Sequence, residues 1–262
     1  MADEVRYERR GSAAWLVIDR EARRNALSPE AIEQLLGGLD RAAADPEVRA
    51  VCLTGAGDRA FCAGADLGAA LDPARGSGPG PALSGPRLYA RLLQRMRSFE
   101  RPLVARVNGH CLGGGLGPML ACDLAYAREG IRIGLPEVTV GLFPMMVAAF
   151  LLRDGVRKKV LELAYTGGQV PAREAEAMGL LTRVVPDGAL DAEVERVLEA
   201  IGRSAPAAIR MGRQALAEAE GLPVDAALER LCERLGGLLA TEDAAEGLAA
   251  FAAKRSPRWK GR

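Results

Sequence analysis

Apolar positions in the first half of the chain switch between a period of two and a period near 3.6, the marks of strand and helix. Val5 to Arg9 and Ala14 to Asp19 read as strands, with Trp15 and Val17 on one face of the second and Leu16 and Ile18 on the other. Pro29 opens a helix at its first turn, where a missing N–H is no loss, and Ile32, Leu35, Leu36 and Leu39 give that helix an apolar stripe. Ala50 to Thr54 is a short buried strand ending at Gly55. Leu88, Leu92, Met96 and Phe99 mark a second helix, and Leu103 to Val107 a strand closed by the turn pair Asn108-Gly109. From about residue 145 the pattern turns helical. Glu174 to Met178 is a short helix before Gly179, and Val184-Val185-Pro186 is a last edge strand. Three helical patterns, 190–202, 206–220 and 224–240, are separated by Pro206 and by Gly221-Leu222-Pro223.

One stretch resists both periods. Residues 68–86 are crowded with glycine and proline, which fits an irregular surface loop. Such a loop is either a tolerated insertion or a flap over a site.

Composition narrows the setting. With 262 residues, 49% of them hydrophobic and 26% charged, the chain can bury one large core, or a core with a small appendage, without staples. Its 35 basic and 34 acidic residues leave a net charge of +1, so no global attraction for nucleic acid or acidic membranes is expected. The longest apolar run, Gly141 to Leu152, is broken by Pro144 and falls short of the roughly 20 residues of a membrane span. The charged N-terminus does not read as a secretory signal. Five scattered cysteines without a CxxC pair read as reduced thiols in a cytoplasmic protein. His110 is the single histidine, which excludes a His-rich metal site; it reads as structural, and no metal is expected.

Three segments look unlike scaffold. Gly55 to Leu67 holds three glycines in its first ten positions after a strand, and reads either as a tight strand-to-helix crossover or as a turn whose N–H groups face a ligand oxygen. Asn108 to Leu116 carries Gly113-Gly114-Gly115, each glycine weakening a helix by roughly 1 kcal/mol relative to Ala, so close packing or ligand approach must compensate. Two such turns can offer one N–H each to a shared oxygen, the geometry of an oxyanion hole. In the third, Gly134 to Gly141, Glu137 sits in an apolar run. It reads as a surface carboxylate at a strand edge or, with its pKa raised by its neighbours, as a general acid or base. Cys111 has no histidine to activate it and is not expected to act as a nucleophile.

On these residues the chain resembles the crotonase superfamily, the enoyl-CoA hydratase/isomerase family. Arg23-Arg24-Asn25-Ala26-Leu27 is similar to the family's early CoA-contact motif. Gly55 to Leu67 is similar to its first oxyanion loop, and Arg101 to Asp123 to its second. Thr166-Gly167-Gly168, Glu174-Ala175, Gly179-Leu180 and the tail from Glu242 through Phe251, Lys254 and Pro257 extend the likeness over nearly the whole chain. The resemblance implies an α/β fold, a crotonase-like spiral of ββα units over 1–200 with a C-terminal helical trimerisation region over 201–262. It implies homotrimers, often paired into hexamers. It implies acyl-CoA thioester substrates, with CoA part of the substrate and no separate cofactor. The oxyanion donors map to the backbone of Ala65 and Gly114, and the catalytic carboxylate to Glu137. Substrate contacts map to Arg24, Ala26, Ala63, Asp66 and Leu67, with Phe251 and Lys254 reaching CoA mostly on a neighbouring subunit.

The chain also departs from its family. Hydratases of this family use two glutamates, one just after the glycine turn and one 20 residues later; the first position is Gly117, followed by Pro118. A lone carboxylate resembles the 3-enoyl to 2-enoyl-CoA isomerases and favours isomerisation or an atypical hydration. The alternatives are another crotonase-type reaction, such as thioester hydrolysis or decarboxylation, and a non-catalytic acyl-CoA-binding paralogue.

Overall fold

The chain divides its strands between two sheets, and that division builds a spiral. The computed structural model describes residues 3–66 and 84–262. A six-stranded sheet runs in the order β1 (Val5–Arg10), β2 (Ala13–Ile18), β3 (Ala50–Gly55), β5 (Leu103–Val107), β7 (Leu124–Arg128) and β10 (Arg183–Val185). A four-stranded sheet runs β4 (Ala60–Cys62), β6 (His110–Leu112), β8 (Arg132–Gly134) and β9 (Gln169–Pro171). Pairing is parallel except at β1–β2 and β8–β9. Three times the chain leaves the large sheet and enters the small one: β3 to β4, β5 to β6, β7 to β8. Gly55 to Leu67 is therefore not a strand-to-helix crossover, because Ala60–Cys62 forms β4.

Two buried asparagines hold the corners. Asn108 Nδ2 donates to the carbonyls of Gly55 and Gly57 at 2.8 and 2.6 Å, and its Oδ1 accepts from Thr54 Oγ1 at 3.0 Å. Asn25 donates to the carbonyls of Ala56 and Ala60 at 3.0 and 2.7 Å. These bonds satisfy backbone groups that a bend removes from the ladder.

Both faces of the large sheet are covered, as a mostly parallel sheet requires. On one face Leu16, Ile18, Leu53 and Ala105 meet helix α1 (Pro29–Ala44) and helix α2 (Ser84–Arg97). On the other, Trp15, Cys52, Val104 and Tyr126 meet Val194, Val197 and Leu198 of helix α7 (Leu190–Arg203). The alternation expected for Trp15 against Leu16 and Ile18 thus divides two cores. Helix α1 begins where expected, its Ser28 cap accepting from the Ala31 N–H at 3.0 Å, an interaction worth about 1 kcal/mol.

Helix α2 starts earlier than the irregular stretch over 68–86 suggests: Ser84-Gly85-Pro86 form its first turn, where Pro is tolerated. The rest of that stretch and Leu67 lie outside the described residues. The buried stripe of α2 is Tyr89, Leu92, Leu93 and Met96, not one begun by Leu88.

Helix α3 (Leu116–Leu120) follows the glycine turn, α4 (Met145–Asp154) and α5 (Arg157–Thr166) follow β8, and α6 (Ala172–Ala177) precedes β10. The division placed at residue 200 falls inside α7. The chain breaks at Ser204-Ala205 and continues as α8 (Pro206–Ala219), α9 (Val224–Leu239) and α10 (Glu242–Ala252). Among the described residues no helix is long and apolar enough to cross a membrane.

Candidate active site

The backbone amides of Ala65 and Gly114 lie close together beside the corner of the spiral. Leu27 pairs with Ala65 in a parallel bridge: the Leu27 N–H donates to Gly64 O at 2.8 Å and the Asp66 N–H donates to Leu27 O at 2.9 Å. In such a bridge the residue between the two bonded groups makes neither bond, so the Ala65 N–H points to the other side. That side faces the glycine turn, Gly113–Gly115, a single turn of 3₁₀ helix between β6 and α3. A Cβ placed on Gly114 would stand 3.4 Å from Ala65 N, and one on Gly64 would stand 3.2 Å from Gly114 N. Gly64 has φ of +104° and Gly113 of +53°, conformations that side chains disfavour. The glycines thus serve close approach of two loops.

Glu137 lies on the adjoining turn. It occupies a 3₁₀ segment, Pro136–Val140, entered through buried Leu135 and closed by Gly141 with φ of +77°. The strand-edge reading is corrected by this placement, because the backbone has already left β8 and turns the carboxylate inward. Its Oε1 would touch a Cβ on Gly113 at 3.1 Å. Its Oε2 is buried and has no hydrogen-bond partner among the described residues. Burial pushes the carboxyl above the ordinary range, only partly offset by a hydrogen bond from its own backbone. A half-buried carboxylate of raised pKa, one oxygen unpartnered among the described residues, beside two neighbouring amides suits proton transfer next to a developing oxyanion.

A family model described as Enoyl-CoA hydratase/isomerase matches residues 8–262. The chain belongs to that family. A relative from Thermus thermophilus is 37% identical over 250 residues, covering 95% of this chain and 98% of its own. The 2,3-dehydroadipyl-CoA hydratase of Escherichia coli is 33% identical over 268 residues, covering 99% of each chain. The crystal structure of an enoyl-CoA hydratase from Bacillus anthracis matches with a TM-score of 0.92 at 30% identity, over 99% of this chain and 100% of the other. The fold is therefore the crotonase fold.

Against this family background the remaining candidate residues fall into groups. Arg24, Ala26 and Ala63 border the Ala65 loop: the Ala63 N–H donates to Arg24 O at 3.1 Å. Asp66 is beside them, but its carboxylate meets Arg20 at 2.9 Å, and Arg20 also pairs with Glu4 at 3.0 Å. Phe251 sits on α10 and Lys254 just past its C-cap, Ala253, and α10 docks on α8 and α9, which carry none of the other candidates. Phe251 is 86% exposed. His110 Nδ1 accepts from the Arg132 N–H at 3.0 Å, a structural role. Burial pushes the Cys62 thiol up to about 12 and the Cys111 thiol well above its usual value, so neither is a ready nucleophile.

One residue at the site escaped the reading of the sequence. Tyr89, on α2, sends its hydroxyl to the Gly114 carbonyl. The spacing 89, 92, 93, 96 is a fuller helical stripe than 88, 92, 96, 99, and it was the available signal for an inward-facing phenol.

Proposed function

We propose that this chain is an acyl-CoA enzyme in which Glu137 works as a lone proton shuttle and the Ala65 and Gly114 amides hold the thioester oxygen. The observation that carries the reading is the buried, unpartnered Oε2 of Glu137 beside the glycine turn. With a 3-enoyl-CoA, Glu137 removes a proton from the α-carbon and the electron pair of that C–H bond moves toward the carbonyl. The resulting dienolate oxygen accepts from both amides, a contribution of about 3 kcal/mol per donor in comparable sites. The γ-carbon then takes the proton back from Glu137, the double bond moves to the 2,3 position, and the carboxylate is regenerated. Nothing is oxidised or reduced, so the step calls for no redox cofactor, and CoA enters as part of the substrate.

In this reading Arg24, Ala26, Ala63, Asp66 and Leu67 contact the substrate. Phe251 and Lys254 reach CoA held mostly by a neighbouring subunit of a homotrimer or hexamer. The reduced, mostly buried cysteines fit a cytoplasmic location. Hydration is the second reading, favoured by relatives named as hydratases. The test gives purified protein a 2-enoyl-CoA and a 3-enoyl-CoA separately and follows mass and retention. Conversion of the 3-enoyl substrate without mass change is expected. Gain of one water by the 2-enoyl substrate, with the 3-enoyl one untouched, rejects isomerisation in favour of hydration.

A further inference from the structure

The seat of the absent family glutamate is filled by an aromatic ring. A Cβ added at Gly117 would collide with the Tyr89 hydroxyl and stand 2.9 Å from Tyr89 Cζ and 3.3 Å from Leu93 Cδ1. Residue 117 is therefore glycine for a local reason: no side chain fits there while Tyr89 holds its place. The phenol is buried, and its hydroxyl engages the glycine turn. Its O–H donates to the Gly114 carbonyl. A Cβ on Gly114 would lie 3.8 Å from that hydroxyl and 3.4 Å from Ala65 N. The phenol thus grips the segment that presents the Gly114 amide.

We propose that Tyr89 is the positioning residue of this site: packed over Gly117, its hydroxyl bridges α2 to the Gly114 carbonyl and holds the glycine turn so that the Gly114 N–H stays aimed at the substrate oxygen. The proposal rests on the oxyanion reading given above. It has a chemical logic. Three successive glycines leave a turn with no side chains to lock it, and a turn free to rock would misalign its donor, which at a reacting centre costs about 100-fold for a displacement near 1 Å. Burial raises the phenol well above its usual pKa, so it remains a donor throughout the neutral range.

The test compares wild type, Tyr89→Phe and Gly117→Ala, each saturated with 2-hexenoyl-CoA carrying ¹³C at the thioester carbonyl, by difference infrared spectroscopy. Polarisation by the two amides lowers the carbonyl stretch of the bound thioester in wild type. Tyr89→Phe keeps the ring and removes the bridge; it is expected to lose part of that downshift and, in turnover of 3-hexenoyl-CoA, to lower kcat about tenfold or more with KM changed less than about threefold. Gly117→Ala, which displaces the phenol without deleting it, is expected to move the stretch in the same direction. A full downshift with unchanged kcat in Tyr89→Phe overturns the positioning role and leaves the oxyanion reading standing. Absence of any downshift in wild type overturns the oxyanion reading itself. Unfolding midpoints of the three proteins separate a lost bridge from a lost fold, because a merely structural phenol would move the midpoint and not the carbonyl frequency.

Discussion

Glu137 carries opposite effects on activity and stability. In the proposed reading Glu137 is the base and must be ionised, so turnover is expected to rise with pH along a limb displaced above the ordinary carboxylate range, in the direction burial pushes it. Glu137→Gln keeps the shape and removes the base; turnover is expected to fall by about 10²–10⁴-fold. Stability should move the other way. The native carboxyl binds its proton more tightly than the unfolded one, so the wild type loses stability as pH rises from the ordinary glutamate range through the raised value. Glutamine carries no such penalty. The variant should therefore melt above wild type at neutral pH, with the gap closing near about pH 4, where both side chains are neutral. Thermal melts at both pH values check this; equal midpoints at neutral pH would reject the burial penalty.

Among the elements, the corner turns decide whether the site exists. Asn108 was readable as a turn residue from its pairing with Gly109, but its bonds reach residues 51 to 54 positions away, and that distance is set by β3 lying next to β5. Asn108→Ala would leave the Gly55 and Gly57 carbonyls without this donor, at about 1–3 kcal/mol each where buried; a urea midpoint lowered accordingly, with weakened turnover, is expected. Gly64→Ala should do the reverse, costing more activity than stability. Its φ of +104° and its 3.2 Å approach to Gly114 N put the strain at the two facing amides. The glycine turn itself was visible as an anomaly, since no helix or strand tolerates three glycines without compensation. Its partner was not, because local sequence does not say which loops face each other.

For the whole molecule, one exposed apolar surface lies on the C-terminal helices. Helix α9 buries no residue, and Val224, Leu228, Leu235 and Leu239 are all more than half exposed, as are Leu216 on α8 and Leu248 on α10. An amphipathic helix of this length gains most of its stability from packing its apolar face. The proposed assembly of copies would cover this face. Leu228→Glu with Leu235→Glu is expected to lower the mass measured by light scattering on a sizing column, with the spiral core retained. An unchanged mass would place the interface elsewhere.

Local pattern determined many of the elements: the strand pair at the N-terminus, helix α1 with its Pro29 start, β3, β5, and the helices α7 to α9 separated by Pro206 and Pro223. Those signals are local, written in side-chain alternation and in residues that start or stop an element. The three chemistry-bearing segments were also marked locally, as glycine clusters and as a carboxylate among apolar neighbours. Tertiary structure decided the rest. It placed β4, β6 and β8 in a second sheet, turned Ala65 toward Gly114, brought the Glu137 carboxylate against Gly113, and laid the Tyr89 ring over Gly117. Each of these depends on which segments pack together across tens of residues, and burial and close approach become properties of a residue only after the chain has folded.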